Sequence, residues 1–295
     1  MRFGALVVAV TLSAGACAGT RVSGGAPIHL VAAEGFWGSL AAQLGGGNVH
    51  VRSIVTDPNA DPHDHEATAA DARAVAGADG VIVNGAGYDP WVDKLVKANP
   101  RQGRRVVRVA DVVGRHDGDN PHLWYSPTYV ERAADRITAD FIRLDPTHRD
   151  DYTARRVALR RTMQPFRDLV SAIKARWTGT RVGATETVFE YMAGALGLDL
   201  ASPRPFMQAV AEGSDPPASS VAEFQRQLSA RTIEVLVFNA QTATAVTTNL
   251  ERQARGDGIP TVAVTETMPK QFSTFQAWQV EQLRSLERAL EQAAA

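Results

Sequence analysis

The sequence predicts an α/β fold of two lobes with parallel sheets, joined by a long helical connector. Three observations carry that expectation. The chain has 295 residues, more than one small core accommodates and suited to two lobes of ordinary domain size. Short apolar runs of strand type alternate with segments of helical period, the order expected when parallel strands are linked by helices packed on their sheet. Between the two alternating halves, Pro127 to Trp177 has helical character and lacks a Gly/Ser-rich hinge.

The amino terminus reads as an export signal over residues 1–17. Arg2 supplies a short positive region, Gly4 to Leu12 is an unbroken apolar or small run, and Ser13-Ala14-Gly15-Ala16-Cys17 follows. That run is too short to span a bilayer. Cys17 is the only cysteine, so it has no disulfide partner within the chain. Its place after small residues resembles a bacterial lipoprotein processing site, at which cleavage leaves a lipid-modified Cys17. Ala14 stands where such sites favour leucine, which keeps a soluble exported form open. Residues 18–28 then form a flexible tether centred on Gly24 and Gly25.

In the first lobe, 29–144, the strands are His29 to Ala33, Val49 to Val55, Gly80 to Val83 and Arg105 to Val109. The intervening helices are Phe36 to Leu44, Thr68 to Ala76 and Pro90 to Ala98, each with apolar residues three and four apart. Pro58 to Pro62 and Asn84 to Gly87 break the pattern as loops. Pro127 to Leu144 is one amphipathic helix, after which Asp145-Pro146 supplies an N-cap and a proline at the first helical position.

The connector, 145–178, is expected to be one rigid helix toward Trp177, kinked at Pro165, with Arg155, Arg156, Arg160 and Arg161 on a solvated face. A connector of this kind resists bending, so the lobes should move little and the cleft should stay largely formed. The second lobe, 179–295, has strands Arg181 to Thr185, Glu234 to Phe238 and Thr261 to Thr265. Its helices are Val188 to Leu196, Ser219 to Arg231, Ala243 to Arg255 and Phe275 to Gln292. Both lobes are therefore Rossmann-like, and no internal repeat competes with that reading.

Charge excludes one class of partner. With 31 basic against 32 acidic residues, the chain lacks the electrostatic footprint of a nucleic-acid binder.

The chemistry is carried by polar groups just beyond strand ends, where open α/β sheets bind their ligands. Asp61-Pro62-His63 and Asn120-Pro121-His122 each present an imidazole from a proline-stiffened loop in the first half, and two such histidines suggest one shared metal. Glu186 and Glu266 each end a strand in the second half. Two imidazoles and two carboxylates can therefore converge in the cleft. Each also has a plainer reading: a lone loop histidine is usually solvated, and Glu186 could be a helix-start acid stabilised by the macrodipole of the helix that opens at Thr187. Glu190 is expected to face solvent, and Glu212 and Asp215 lie in a polar loop. His29, His50 and His148 read as structural or exposed.

The segments Asp61-Pro62-His63-Asp64-His65-Glu66-Ala67-Thr68, Asn84-Gly85-Ala86-Gly87-Tyr88-Asp89-Pro90-Trp91 and Asn120-Pro121-His122-Leu123-Trp124 resemble those of the metal-binding receptors of manganese/zinc/iron ABC transporters. Thr185-Glu186-Thr187-Val188-Phe189-Glu190-Tyr191 is similar to that family's third-ligand motif, a His or Glu five residues before a Tyr. The resemblance covers nearly the whole mature chain in order. It implies two α/β lobes joined by a rigid helix, with one metal ion in the cleft held by His63, His122, Glu186 and Glu266. Glu266 stands where the family usually has Asp. The histidine-rich loop of many zinc receptors is missing, and Gly114 to Asn120 offers only His116. His65 is a second candidate beside His63, and no role falls on Phe238-Asn239-Ala240-Gln241.

Ligand type narrows the ion. Imidazole suits zinc, whereas carboxylate-rich sets suit manganese and ferrous iron, so the set favours Mn²⁺ with Zn²⁺ a close second. The implied protein is no enzyme. It is a receptor anchored by lipid on the outer face of the cytoplasmic membrane, monomeric, which passes its ion to an ABC permease. The competing readings are a secreted metallohydrolase built on His63-Asp64-His65 and an adhesin with a structural metal. The hydrolase would need an open coordination position and a poised base, and no segment around His63 supplies them.

Overall fold

The structure is a computed structural model that describes residues 26–58 and 65–295. The export signal with Cys17, most of the tether and the loop segment with His63 lie outside the described residues. The first sheet consists of β1 (Ile28–Glu34), β2 (Val49–Val55), β3 (Gly80–Val83) and β4 (Arg105–Arg108), in the order β2-β1-β3-β4 and all parallel. Around it lie α1 (Gly35–Gly45), α2 (Ala69–Gly77), α3 (Pro90–Ala98), α4 (Val109–Val113) and α5 (Pro127–Leu144). The connection is α6 (Arg149–Thr162) and α7 (Gln164–Trp177).

The second sheet repeats the topology: β5 (Arg181–Ala184), β6 (Asp199–Leu200), β7 (Val235–Asn239) and β8 (Thr261–Val264) run parallel in the order β6-β5-β7-β8. Its helices are α8 (Glu190–Leu196), α9 (Arg204–Ala211), α10 (Ala218–Ser229), α11 (Ala245–Gly256) and α12 (Phe275–Ala293). The expected two-lobed α/β architecture is what the chain forms.

Local chemistry explains the elements. All four residues of β3 are buried, as a strand covered on both faces requires. Thr68 and Asp71 close a reciprocal capping box at the start of α2, and Thr244 with Thr247 does the same for α11. Ser126 accepts from the Tyr129 N–H at the start of α5, with Pro127 at the first helical position.

The connector differs from the single kinked helix expected. It is two helices, because Pro165 has no N–H to bond back to the preceding turn and is accommodated at the start of a new helix. Met163 ends α6, its N–H bonded to the Leu159 carbonyl, and its own carbonyl accepts from Arg167 in α7. Arg156 also departs from the solvated face assigned to it. It is buried and bonds Glu131 at 2.6 Å and Asp135 at 2.7 Å, tying α6 to α5. Arg160 and Arg161 are exposed as expected.

The lobes are joined by packing as well as by the two connecting helices. One buried cluster runs from Phe36 and Trp124 through Tyr152 and Phe166 to Phe189 and Trp278, so both lobes and the connector share a core. Phe36 stacks on Trp124 at 4.0 Å between centroids, and the Tyr125 hydroxyl donates to the Thr265 carbonyl in the other lobe at 2.7 Å. At the far edge, Gln43 of α1 and Gln276 of α12 exchange amide hydrogen bonds.

Glu34 at the end of β1 and Asp89 before α3 form a buried carboxyl pair, each only 1% exposed. Burial pushes Glu34 well above its ordinary value, and the neighbouring Asp89 pushes it further. Asp89 is itself pushed up to about 6 by burial, against the opposing N–H groups of Gly85 and Asn84. Glu34 is therefore biased toward its protonated form beside Asp89. A carboxyl whose folded value is raised binds more protons folded than unfolded, so this pair makes stability fall as pH rises above the ordinary carboxyl range. Glu34→Gln places a side chain of nearly the same shape beside Asp89 that cannot ionise. Urea denaturation between about pH 5 and about pH 8 should show the variant losing less stability than the parent, by up to about 1.4 kcal/mol per pH unit.

Candidate metal centre

The carboxyl ends of β5, β7 and β8 converge on the loop after α4, and this convergence builds the site. Glu186 lies two residues beyond β5 and Glu266 two beyond β8, while His122 precedes a short turn at Leu123–Tyr125. Each of the three offers a ligand atom, and these atoms all lie within 4.8 Å of one another. All three residues are buried, at 0%, 1% and 0% exposure for His122, Glu186 and Glu266. His122 Nε2 is 3.6 Å from Glu266 Oε2. His63 falls outside the described residues. His65 lies elsewhere, with Nε2 3.5 Å from Asp71 Oδ2 and its ring 4.5 Å from Trp91.

The imidazole is aimed by its second nitrogen. His122 Nδ1 is 2.8 Å from Asn120 Oδ1, a pure acceptor, so Nδ1–H donates there and turns Nε2 toward the carboxylates. Asn120 is fixed in turn, donating to the Thr187 carbonyl at 2.8 Å and to Glu190 Oε2 at 3.1 Å. Glu190 is thus partly buried beside the site rather than facing solvent as expected. Tyr191 donates to the Asn120 carbonyl at 2.8 Å. On the other side, Asn84 donates to the Pro121 carbonyl at 2.8 Å and accepts from Trp37 Nε1 at 3.1 Å.

The acids are held as well. Glu186 begins a short helical turn without capping it through its side chain. Its Oε1 instead accepts from Asn239 Nδ2 at 2.8 Å, and the same amide donates to Glu266 Oε1 at 2.7 Å. The Tyr88 hydroxyl donates to Glu266 Oε2 at 2.9 Å from the first lobe. Gln241 accepts from the backbone N–H groups of Glu266 and Thr267 at 2.6 and 3.0 Å. Asn239 and Gln241 belong to the segment to which the sequence assigned no role. Their only sequence signal is position, at the carboxyl end of a strand lying between the two that carry the acids.

Two carboxylates and an imidazole buried within bonding reach of one point suit a divalent cation, whose charge the acids would balance. Asn84→Ala would leave the Trp37 N–H and the Pro121 carbonyl without their partner. Chemical denaturation should register about 1–3 kcal/mol of lost stability for each group so orphaned.

Comparison with known proteins agrees with this chemistry. The family described as zinc-uptake complex component A, periplasmic, matches residues 30–289. The iron-binding protein YfeA of Yersinia pestis is 29% identical over 168 residues, 53% of each chain. The manganese-binding lipoprotein MntA of Halalkalibacterium halodurans is 25% identical over 210 residues, 67% of this chain and 68% of that one. The chain thus spans about half the length of the first relative and about two thirds of the second. Among solved structures, the periplasmic zinc-binding protein TroA of Treponema pallidum superposes with a TM-score of 0.74 at 18% identity, over 90% of this chain and 99% of that one. None of these names is that of an enzyme. The chain belongs to the periplasmic zinc-uptake component A family of metal-binding receptors, as the match across residues 30–289 shows.

Proposed function

We propose that this protein is an extracytoplasmic receptor that captures one divalent metal ion between its lobes and delivers it to an ABC permease. The observation that carries the reading is the buried cluster of His122, Glu186 and Glu266, with ligand atoms within 4.8 Å of one another. His63, outside the described residues, is the fourth ligand of this reading, which makes a set of two imidazoles and two carboxylates. In the division 29–144, 145–178 and 179–295 the ion would lie between two lobes, and a core shared by both lobes supports that reading.

Two carboxylates favour Mn²⁺, while two imidazoles bring Zn²⁺ close behind. The relatives' names span the same range, from iron-binding and manganese-binding to zinc uptake. Among the described residues no helix is long and apolar enough to cross a membrane. Acylation of Cys17 would place the monomeric receptor on the outer face of the cytoplasmic membrane, beside its permease. A hydrolase has no comparable support, since His65 lies against Asp71 and Trp91.

Calorimetry on the protein lacking residues 1–17 should show one reversible site for Mn²⁺ and Zn²⁺. Glu186→Ala and His122→Ala should each weaken it about 100-fold or more, beyond the 10–100-fold usual for outer-shell partners. At free ion about 100 times Kd, the native state should gain about 2.7 kcal/mol, read as a raised melting temperature. An absence of binding, or an unchanged affinity in Glu186→Ala, would refute the receptor reading.

A further inference from the structure

His29 and His50 are the second residues of β1 and β2, and they stand opposite each other as partners in the parallel register of these strands. Partners in neighbouring strands send their side chains to the same face of the sheet. Further along, that face is apolar: Val31 and Ala33 of β1 and Ile54 of β2 lie at even steps from the histidines and join the small core beneath Val75 of α2 and Val92 of α3. At the amino end that core stops, and the alternation places two exposed imidazoles there instead. Their ring centroids are 5.7 Å apart, with the ring planes inclined by 42°. The backbone of His29 is held on its other side by Asp79. Its N–H donates to Asp79 Oδ2 at 2.9 Å, and its carbonyl accepts from the Asp79 N–H at 2.8 Å. Asp79 Oδ1 accepts from Arg101 at 2.5 Å.

We infer that His29 and His50 form a second metal site, a surface pair of imidazoles that chelates one divalent ion of the zinc, copper or nickel class. Two imidazoles bound at about 2.0–2.1 Å to one tetrahedral ion have their ring centroids about 5 Å apart. Side-chain rotation therefore suffices to bring the pair onto a common ion. Each imidazole hangs from a strand already fixed in its ladder, so the ordering cost of binding is confined to two side chains. Asp79 is committed to the His29 backbone and to Arg101, which leaves water to complete the shell. Two neutral nitrogen donors discriminate against manganese, which suits carboxylate and water ligands and stands lowest in the affinity order of these ions. The pair is separate from the cleft. It sits at the amino ends of two seven-residue strands, roughly 15–20 Å along the sheet from the carboxyl end, the end from which Pro58 and Tyr88 reach the second lobe.

Equilibrium dialysis of the protein lacking residues 1–17, at Zn²⁺ concentrations beyond those that fill the single tight site, should reveal a further, weaker equivalent of zinc. Mn²⁺ over the same range should add none. His29→Ala and His50→Ala should each remove the further zinc equivalent and leave the tight site unchanged, and matching melting curves of the metal-free proteins establish that both variants fold. The same excess of zinc should protect His29 and His50 together from carbethoxylation by diethyl pyrocarbonate, read by mass spectrometry. A parent that takes up no further zinc, or a further equivalent that persists in both folded variants, would overturn this inference alone. A parent without the tight site whose zinc uptake disappears in the two variants would overturn the receptor reading and leave the surface pair standing.

Discussion

The rest of the structure depends on keeping two carboxylates side by side away from water. Two ionised carboxylates with oxygens within 4.8 Å of each other repel by about 3 kcal/mol or more even at an effective dielectric of about 20. Burial adds a desolvation cost for each. The chain offsets both with donors aimed at the acid oxygens, two protons of Asn239 from the strand between them and the Tyr88 hydroxyl from the opposite lobe. Tyr88 reaches Glu266 only if the lobes stay docked. The shared aromatic core and the acid pair therefore support each other, and neither belongs to one lobe alone.

The same dependence explains the order of the loops. Gly85, Ala86 and Gly87 all have positive φ, at 79°, 55° and 81°. Gly85 admits no side chain, since a Cβ there would meet Ala110 at 2.8 Å. This tight turn is held by the Asp89 carboxylate, which accepts from the Asn84 and Gly85 N–H groups at 2.7 and 2.8 Å. The turn sends Asn84 to the His122 loop and Tyr88 to Glu266. Across the cleft, Gln241 uses its acceptor on the Glu266 backbone and its donor on the Pro58 carbonyl, the last described residue before the loop that carries His63. One amide thus ties the stem of a first-lobe loop to a second-lobe acid.

Much of this was legible in the sequence because it is written locally. The fully buried β3 is a continuous apolar run, and β2, β3, α3 and α5 coincide with the stretches read from the sequence. The elements missed are the short ones. β6 has two residues, α4 five and α9 eight, too few for a period to emerge. Position after a strand also led to Glu186 and Glu266. Asn239 was passed over because its role arises from strand order, β5-β7-β8, which no spacing along the chain encodes. Arg156 was misread for a related reason, since its acidic partners Glu131 and Asp135 lie on α5, more than a helix away in sequence.

The connector carries the last step. A single unbroken helix would have made rigidity a property of one element, and Pro165 rules that out. The break at Met163 is nevertheless buried, and α6 packs on α1 and α5 while α7 packs on α8 and α12. Bending at the break would pull aromatic side chains such as Tyr152 and Phe166 out of the common core. At about 25 cal/mol per Å² of apolar surface, exposing even one such ring costs several kcal/mol, more than the flexibility of one proline joint recovers. The lobes share the core that lies between them, and Asn120, Asn239, Gln241 and Tyr88 hold the candidate ligands at that junction by hydrogen bonds from both sides.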